Sequence, residues 1–244
     1  MLQPPPPTPQ ETNAAARLKP LGLFGGSLGQ RVYQSLEMGI LSVSYRPGEI
    51  LRKPEICAAL GVSRSPVSDA VARLAAEGLV DVVPQAGTFV ARFSMDEIRE
   101  GAFLREAIEL HAVGLVAATI TDEQVQLLRR NLSHQAALVE SGDIPGFYQA
   151  DAALHELILS FTGFRRLAQV AETAWLHVNR ARQMILPVPG RVGQTLDEHR
   201  AIVAALEARD PAAAREATQA HLGQLIRYLE PLERDRPDLF EKQK

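Results

Sequence analysis

Val67, Ala70, Val71 and Leu74 recur at i, i+3, i+4 and i+7, while Arg64, Ser65, Ser68 and Arg73 fall on the opposite side. This spacing predicts a helix with one buried stripe and one polar, outward face. Ahead of it, Pro54-Glu55-Ile56-Cys57-Ala58-Ala59-Leu60 reads as a shorter helix with Pro near its first position, and Gly61-Val62-Ser63 is a tight turn between the two. Leu28, Val32, Leu36 and Ile40 predict a first helix behind Ser27. Beyond Gly78, a suitable left-handed cap, the period changes to that of strands: Leu79–Val83 and Thr88–Ala91 flank the turn Pro84-Gln85-Ala86-Gly87. Three helices and a β-hairpin wing make a winged helix-turn-helix over residues 27–92. The alternative, a small helical subdomain with an incidental hairpin, leaves the agreement of so many local signals without a cause.

From Ser94 onward the period is helical. Ser94-Met95-Asp96-Glu97 and Thr121-Asp122-Glu123-Gln124 read as capping boxes opening helices to about Thr119 and Gly142. Further helices are predicted over about Ile144–Phe161, Phe164–Leu186, Thr195–Ala208 and Pro211–Glu230, with Leu186–Arg191 as the one longer connection. The expected fold is therefore mainly α, the winged domain being followed by an all-α antiparallel bundle over residues 93–232. Residues 1–26, with the run Pro4-Pro5-Pro6-Pro7, are expected as a disordered tail, and residues 233–244 as a second one.

Composition adds two constraints. The chain has 244 residues, 46% of them hydrophobic, and a single cysteine, Cys57, which excludes an internal disulfide and fits a reducing cytoplasm. The start lacks the basic and apolar regions of a secretory signal, and the apolar stretch near Ala112–Ile120 is too short to cross a bilayer, so a soluble, cytoplasmic protein is expected. The formal net charge is −3. Residues 27–92 carry only one net positive charge by residue count, so any contact with nucleic acid must come from a few placed cations.

Those cations can be named. Ser63, Arg64 and Ser65 start the second helix of the motif, the end that enters the major groove; Arg64 can donate two bonds to a guanine edge, or clamp a phosphate. Ser68 and Arg73 lie on the same outward face. Arg52 and Lys53 either touch phosphates or are solvated loop charges, and Gln85, Gly87 and Thr88 sit where a wing approaches DNA. In the bundle, Asp151 and His155 stand at i, i+4, with His199 and His221 on two later helices. Spacing alone is compatible with hydrogen-bonded histidines as well as with a divalent metal site for zinc, nickel or manganese.

The runs Arg46-Pro47-Gly48-Glu49-Ile50-Leu51, Leu60-Gly61-Val62-Ser63-Arg64-Ser65-Pro66-Val67, Arg73-Leu74, Glu77-Gly78-Leu79-Val80 and Gly87-Thr88-Phe89-Val90 resemble the DNA-binding domain of GntR-family transcriptional regulators. A departure is Val67-Ser68-Asp69-Ala70, where the family usually has Val-Arg-Glu-Ala. Arg105 with Glu109, Asp151-Ala152-Ala153-Leu154-His155, Glu198-His199-Arg200-Ala201-Ile202, Asp210-Pro211-Ala212 and His221-Leu222 resemble the FadR-type C-terminal (FCD) domain. Leu154 stands where an aromatic is common. The resemblance implies a divalent metal on Asp151, His155, His199 and His221. It also implies a small organic-acid effector, for which Arg105 is the fitting clamp and His134 and Arg182 are further candidates. His111 and His177 read as packing residues. It implies a homodimer, two recognition helices reading a double-stranded, pseudo-palindromic operator, with no membrane partner. The competing readings are a purely structural metal and a metal-dependent hydrolase or lyase with Glu198 as base.

Overall fold

The computed structural model describes residues 17–167, 170–171 and 175–241. The chain divides between Arg92 and Phe93 into two compact units.

In the first unit, α1 (Leu28–Leu41) opens with a full capping box between Ser27 and Gln30. Helix α2 (Lys53–Leu60) has Pro54 in its first turn, where no amide donor is needed, and closes on Gly61 at φ 65, a left-handed cap that costs glycine little. Helix α3 (Arg64–Ala76) buries Val67, Ala70, Val71 and Leu74, the stripe its spacing predicts, and packs on α1 and α2, where Val32, Leu36, Ile40 and Ile56 are buried. Strands β1 (Val80–Val83) and β2 (Gly87–Val90) pair antiparallel with Val80 opposite Val90 and Val83 opposite Gly87. The wing is tied to the helices by Leu51, whose amide donates to the Thr88 carbonyl at 2.7 Å.

The expectation of a disordered stretch up to residue 26 is corrected for its described part, residues 1–16 lying outside the described residues. Leu18 is buried, Ser35 Oγ donates to the Lys19 carbonyl at 2.8 Å, and Arg17 pairs with Glu49 and lies over the Tyr45 ring. One apolar anchor and two side-chain ties hold this segment down, a pattern too short to show as periodicity.

The second unit contains α4 (Met95–Thr119), α5 (Asp122–Ser141), α6 (Ile144–Ser160), α7 (Leu176–Ile185), α8 (Arg191–Glu207), α9 (Pro211–Leu222) and α10 (Gln224–Asp235). One core cluster joins α4, α5 and α6 to α8 and α9 through Val113, Val116, Leu128, Leu154, Ile202 and Ala214. A second, around Phe93, Ile98, Trp175, Val178, Ile185 and Leu229, joins α4 to α7 and α10. Gly114 lets α9 come close: the Arg215 guanidinium lies where a β-carbon at position 114 would be.

Four boundaries differ from expectation. The box at Thr121 is complete, but at Ser94 only the serine half forms. Within the predicted helix Phe164–Leu186, Leu167, Val170 and Ala171 are helical, residues 168–169 and 172–174 lie outside the described residues, Trp175 is a turn, and α7 follows from Leu176. Helix α8 starts a turn early, at Arg191, and the predicted helix Pro211–Glu230 breaks at Gly223 into two. The predicted C-terminal tail is instead helical to Asp235. It then docks: Phe240 packs on Phe93 with ring centroids 5.6 Å apart, and Phe93 donates its amide to the Leu239 carbonyl and accepts from Glu241.

Candidate metal centre and nucleic-acid face

Asp151 and His155 point from one face of α6 toward His199 of α8 and His221 of α9. All four are buried, and one potential ligand atom from each lies within 4.8 Å of the others. Each imidazole is oriented from behind. His155 Nδ1 lies 2.7 Å from Glu109 Oε2, His199 Nδ1 2.8 Å from Gln135 Oε1, and His221 Nδ1 2.8 Å from Glu198 Oε2.

These partners are themselves held. Arg105 Nε donates to Glu109 at 2.5 Å, and Arg191 donates to both oxygens of Glu198 at 2.6 and 2.8 Å. Burial alone would raise the Glu109 pKa, but Arg105 and His155 hold it well below the usual carboxylate range. Glu109 is thus an acceptor. The amide of Gln135 is fixed by a chain that ends on a backbone oxygen: Asn131 Nδ2 donates to the Ala150 carbonyl at 2.9 Å, and Gln135 Nε2 donates to Asn131 Oδ1 at 2.6 Å. Oε1 therefore faces His199. With an acceptor behind every ring, Nδ1 carries the proton and Nε2 presents its lone pair inward.

The inward-facing atoms form an arrangement that lacks protons. His199 Nε2 is 3.1 Å from Asp151 Oδ1, and neither atom has a hydrogen-bond partner. His221 Nε2 is 3.3 Å from His155 Nε2. Desolvation, then the neighbouring imidazoles, pushes the His199 and His221 pKa values well below 6.5, so both rings are neutral near pH 7. Acceptors aimed at acceptors in a dry interior repel, and one cation among them removes the repulsion. The donor set, three imidazole nitrogens and a carboxylate with aligned second partners, fits a borderline divalent ion.

The candidate effector residues separate. Arg105 and Arg182 are buried at the centre, Arg182 paired with Asp151 Oδ2 and lying 5.3 Å from the Tyr148 ring centre. His134 is exposed on α5 and is removed from the site. Glu198, the suggested base, is engaged by Arg191 and His221. His111 is exposed rather than packed, and His177 faces Glu97 at 3.5 Å. Sequence reading missed Asn131, Gln135 and Arg191. A signal existed for Gln135, which falls on the Val125, Leu128, Leu132 stripe of α5 where an apolar residue is expected.

In the first unit, Ser63, Arg64 and Ser65 are exposed at the start of α3, and Ser63 makes no side-chain cap bond, leaving the first helical amides open. Ser68 is half-buried on the same helix. Arg52 is exposed with a loose pair to Glu55, and Lys53 begins α2. At the wing tip Gln85 has φ 62 and is exposed, and Gly87 has φ 137, a conformation L side chains rarely adopt. One expected contact is corrected: Thr88 is 7% exposed, its side chain facing inward from β2. Arg73, in the last turn of α3, stays exposed while lying 3.6 Å from the Tyr33 ring centre and donating to Glu77 at 3.1 Å, which also ties α3 to α1.

Residues 28–90 match the bacterial regulatory proteins of the gntR family, and residues 100–224 match the FCD domain. The chain is 29% identical over 216 residues to the HTH-type transcriptional repressor RspR of Escherichia coli K12, covering 88% of this chain and 95% of that one. It is 32% identical over 209 residues to an HTH-type transcriptional regulator of Streptomyces ambofaciens, covering 86% and 88%. Among solved structures, a GntR-type regulator from Rhodococcus sp. RHA1 superposes with a TM-score of 0.72 at 26% identity, covering 84% of this chain and 99% of that one. E. coli McbR/YncC shares the fold, with a TM-score of 0.72 at 22% identity over 85% of this chain and 99% of that one.

Proposed function

Because this chain belongs to the gntR family of bacterial regulatory proteins and carries an FCD domain, it is a transcriptional regulator, and we propose that a divalent metal and a small carboxylate effector in its helical unit control operator binding. Its relatives being regulators, the hydrolase reading is set aside. No helix among the described residues is long and apolar enough to cross a membrane.

The observation that carries the metal assignment is the convergence of Asp151, His155, His199 and His221 with unprotonated atoms facing one another. When bound, the ion supplies Lewis acidity toward an anionic oxygen. Glu109, Gln135 and Glu198 fix the ring tautomers, and Arg182 holds the second oxygen of Asp151. Arg105, buried and paired with the Glu109 that orients His155, supplies a cation for an effector carboxylate. Effector and operator affinities are then linked: an acid that binds one DNA-affinity state better shifts the population toward it.

On the DNA side, the exposed start of α3 with Ser63, Arg64 and Ser65 enters the major groove, Ser68 borders it, and Arg52, Lys53, Gln85 and Gly87 meet the backbone. A homodimer presents two such faces to a pseudo-palindrome.

A metal held only by the folded state at 100 times its Kd adds about 2.7 kcal/mol. Chelation should therefore lower the melting temperature, reconstitution should restore one ion per chain, and His199→Ala should abolish the response. Sub-stoichiometric metal after reconstitution, with no thermal shift, would refute the assignment.

A further inference from the structure

Trp175 is the only tryptophan of the chain. It sits at the N-cap of α7, is buried, and its indole Nε1 has no hydrogen-bond acceptor among the described residues. A buried N–H without an acceptor is destabilising, and it persists in native proteins where something outside the chain satisfies it. Its neighbour is Arg105, whose guanidinium carbon lies 5.1 Å from the indole ring centre. Arg105 uses Nε on Glu109 Oε1, which leaves the outer edge of its fork for another acceptor.

Trp175 and the metal-facing Arg182 lie on one side of α7. They are seven residues apart, close to two turns, so they stand one above the other at roughly 10 Å along the axis. One end of this face meets Asp151 through Arg182, and the other carries the free indole donor. Charge points the same way. Around the centre, Arg105, Arg182 and Arg191 are matched by Glu109, Asp151 and Glu198, so a divalent ion leaves two positive charges without partners. A monocarboxylate would neutralise only one.

We propose that Trp175 Nε1 and the outer edge of Arg105 form a second anion-recognition point, and that the effector is a short dicarboxylate with one end at the metal centre and the other here. This rests on the reading that a carboxylate effector binds beside the metal. Trp175 is the specificity-determining residue, because an indole N–H aimed at an acceptor distinguishes an acid with a second oxygen group from one ending in a methyl.

The test compares acids of equal chain length on the full-length, metal-loaded protein: succinate and glutarate against butyrate and valerate, by calorimetry. The diacids should bind about tenfold tighter or more, the scale of one hydrogen bond to a charged group. Since the tryptophan emission of the wild-type protein, excited selectively over its tyrosines, comes from Trp175 alone, the diacids should shift or quench it and the monoacids should not. Trp175→Phe keeps the ring under Arg105 and removes the donor. It should bind the monoacids like the wild type while its preference for diacids collapses. Equal binding of both acid types, unchanged emission with diacids, or a preference retained by Trp175→Phe would overturn the second recognition point and leave the metal-linked carboxylate reading standing. Binding of neither acid type would sink both.

Discussion

What stands behind a histidine decides which of its nitrogens is left open to a ligand role. His155, His199 and His221 each have an oxygen at Nδ1, and this fixes which nitrogen carries the proton before any ion arrives. The same arrangement sets a pH dependence. Burial lowers the pKa of His199 and His221 in the folded protein below the ordinary 6.5, while the unfolded chain keeps that value. The unfolded state therefore binds more protons as pH falls below 6.5. Stability is full above that pH and declines below it, by up to about 1.4 kcal/mol per histidine per pH unit. Metal-free protein scanned by calorimetry from pH 7.5 to 5 should lose melting temperature steadily, and a flat profile would mean that the two rings are protonated when folded. Much of this site was legible beforehand. Asp151 and His155 share a helix face by simple spacing, and Arg105 and Glu109 interrupt an otherwise apolar stripe of α4 at the same separation. Asn131 was not read, because a polar residue on a polar helix looks solvated until tertiary packing turns it inward, and Gln135, on the apolar stripe, was the one readable member of the pair. His134, the neighbour of Gln135, failed for the converse reason: one residue along a helix rotates the side chain by about 100° and places it in water.

At the scale of elements, α3 shows how a buried face aims an exposed one. Val67, Ala70, Val71 and Leu74 have one orientation that buries them all, and the brace of Arg73 on Tyr33 and Glu77 holds the last turn. Arg64 is thereby presented at the opposite end. Arg64→Ala should cost on the order of 1–3 kcal/mol on the operator and relax discrimination at one base position, with little loss on random DNA. Competition binding at fixed salt checks this, and equal losses on both DNAs would make Arg64 a phosphate contact. The elements of this unit were readable because each local signal agreed with the tertiary structure: cap, turn glycine, stripe and hairpin. Reading weakened where one signal stood alone. Asp210, with Pro211, marked the start of α9, yet no change of period marks the break at Gly223, whose backbone is itself right-handed helical, φ −63 and ψ −18. Thr88 was misjudged because four residues are too few to fix which side of a strand faces the core.

For the whole molecule, a net charge of −3 means that DNA affinity is concentrated rather than spread. If Arg52, Lys53 and one further cation of each protomer meet phosphates, a dimer makes about six such contacts, and log K should fall against log salt with a slope of about −5. Lys53→Ala removes one contact from each protomer and should flatten that slope by about two units, measured by anisotropy over a salt series. An unchanged slope would place Lys53 off the phosphates. The docking of Phe240 on Phe93 has a consequence of another kind, in the order in which the parts are made. The winged unit, its core complete by Arg92, can fold as soon as it leaves the ribosome, whereas the helical unit places almost its last described residues against its first. During synthesis there is therefore an interval in which a finished DNA-binding module is tethered to an unclosed helical unit. A fusion or tag joined behind Phe240 would crowd the seam that closes the helical unit on itself, at Phe93 and Phe240.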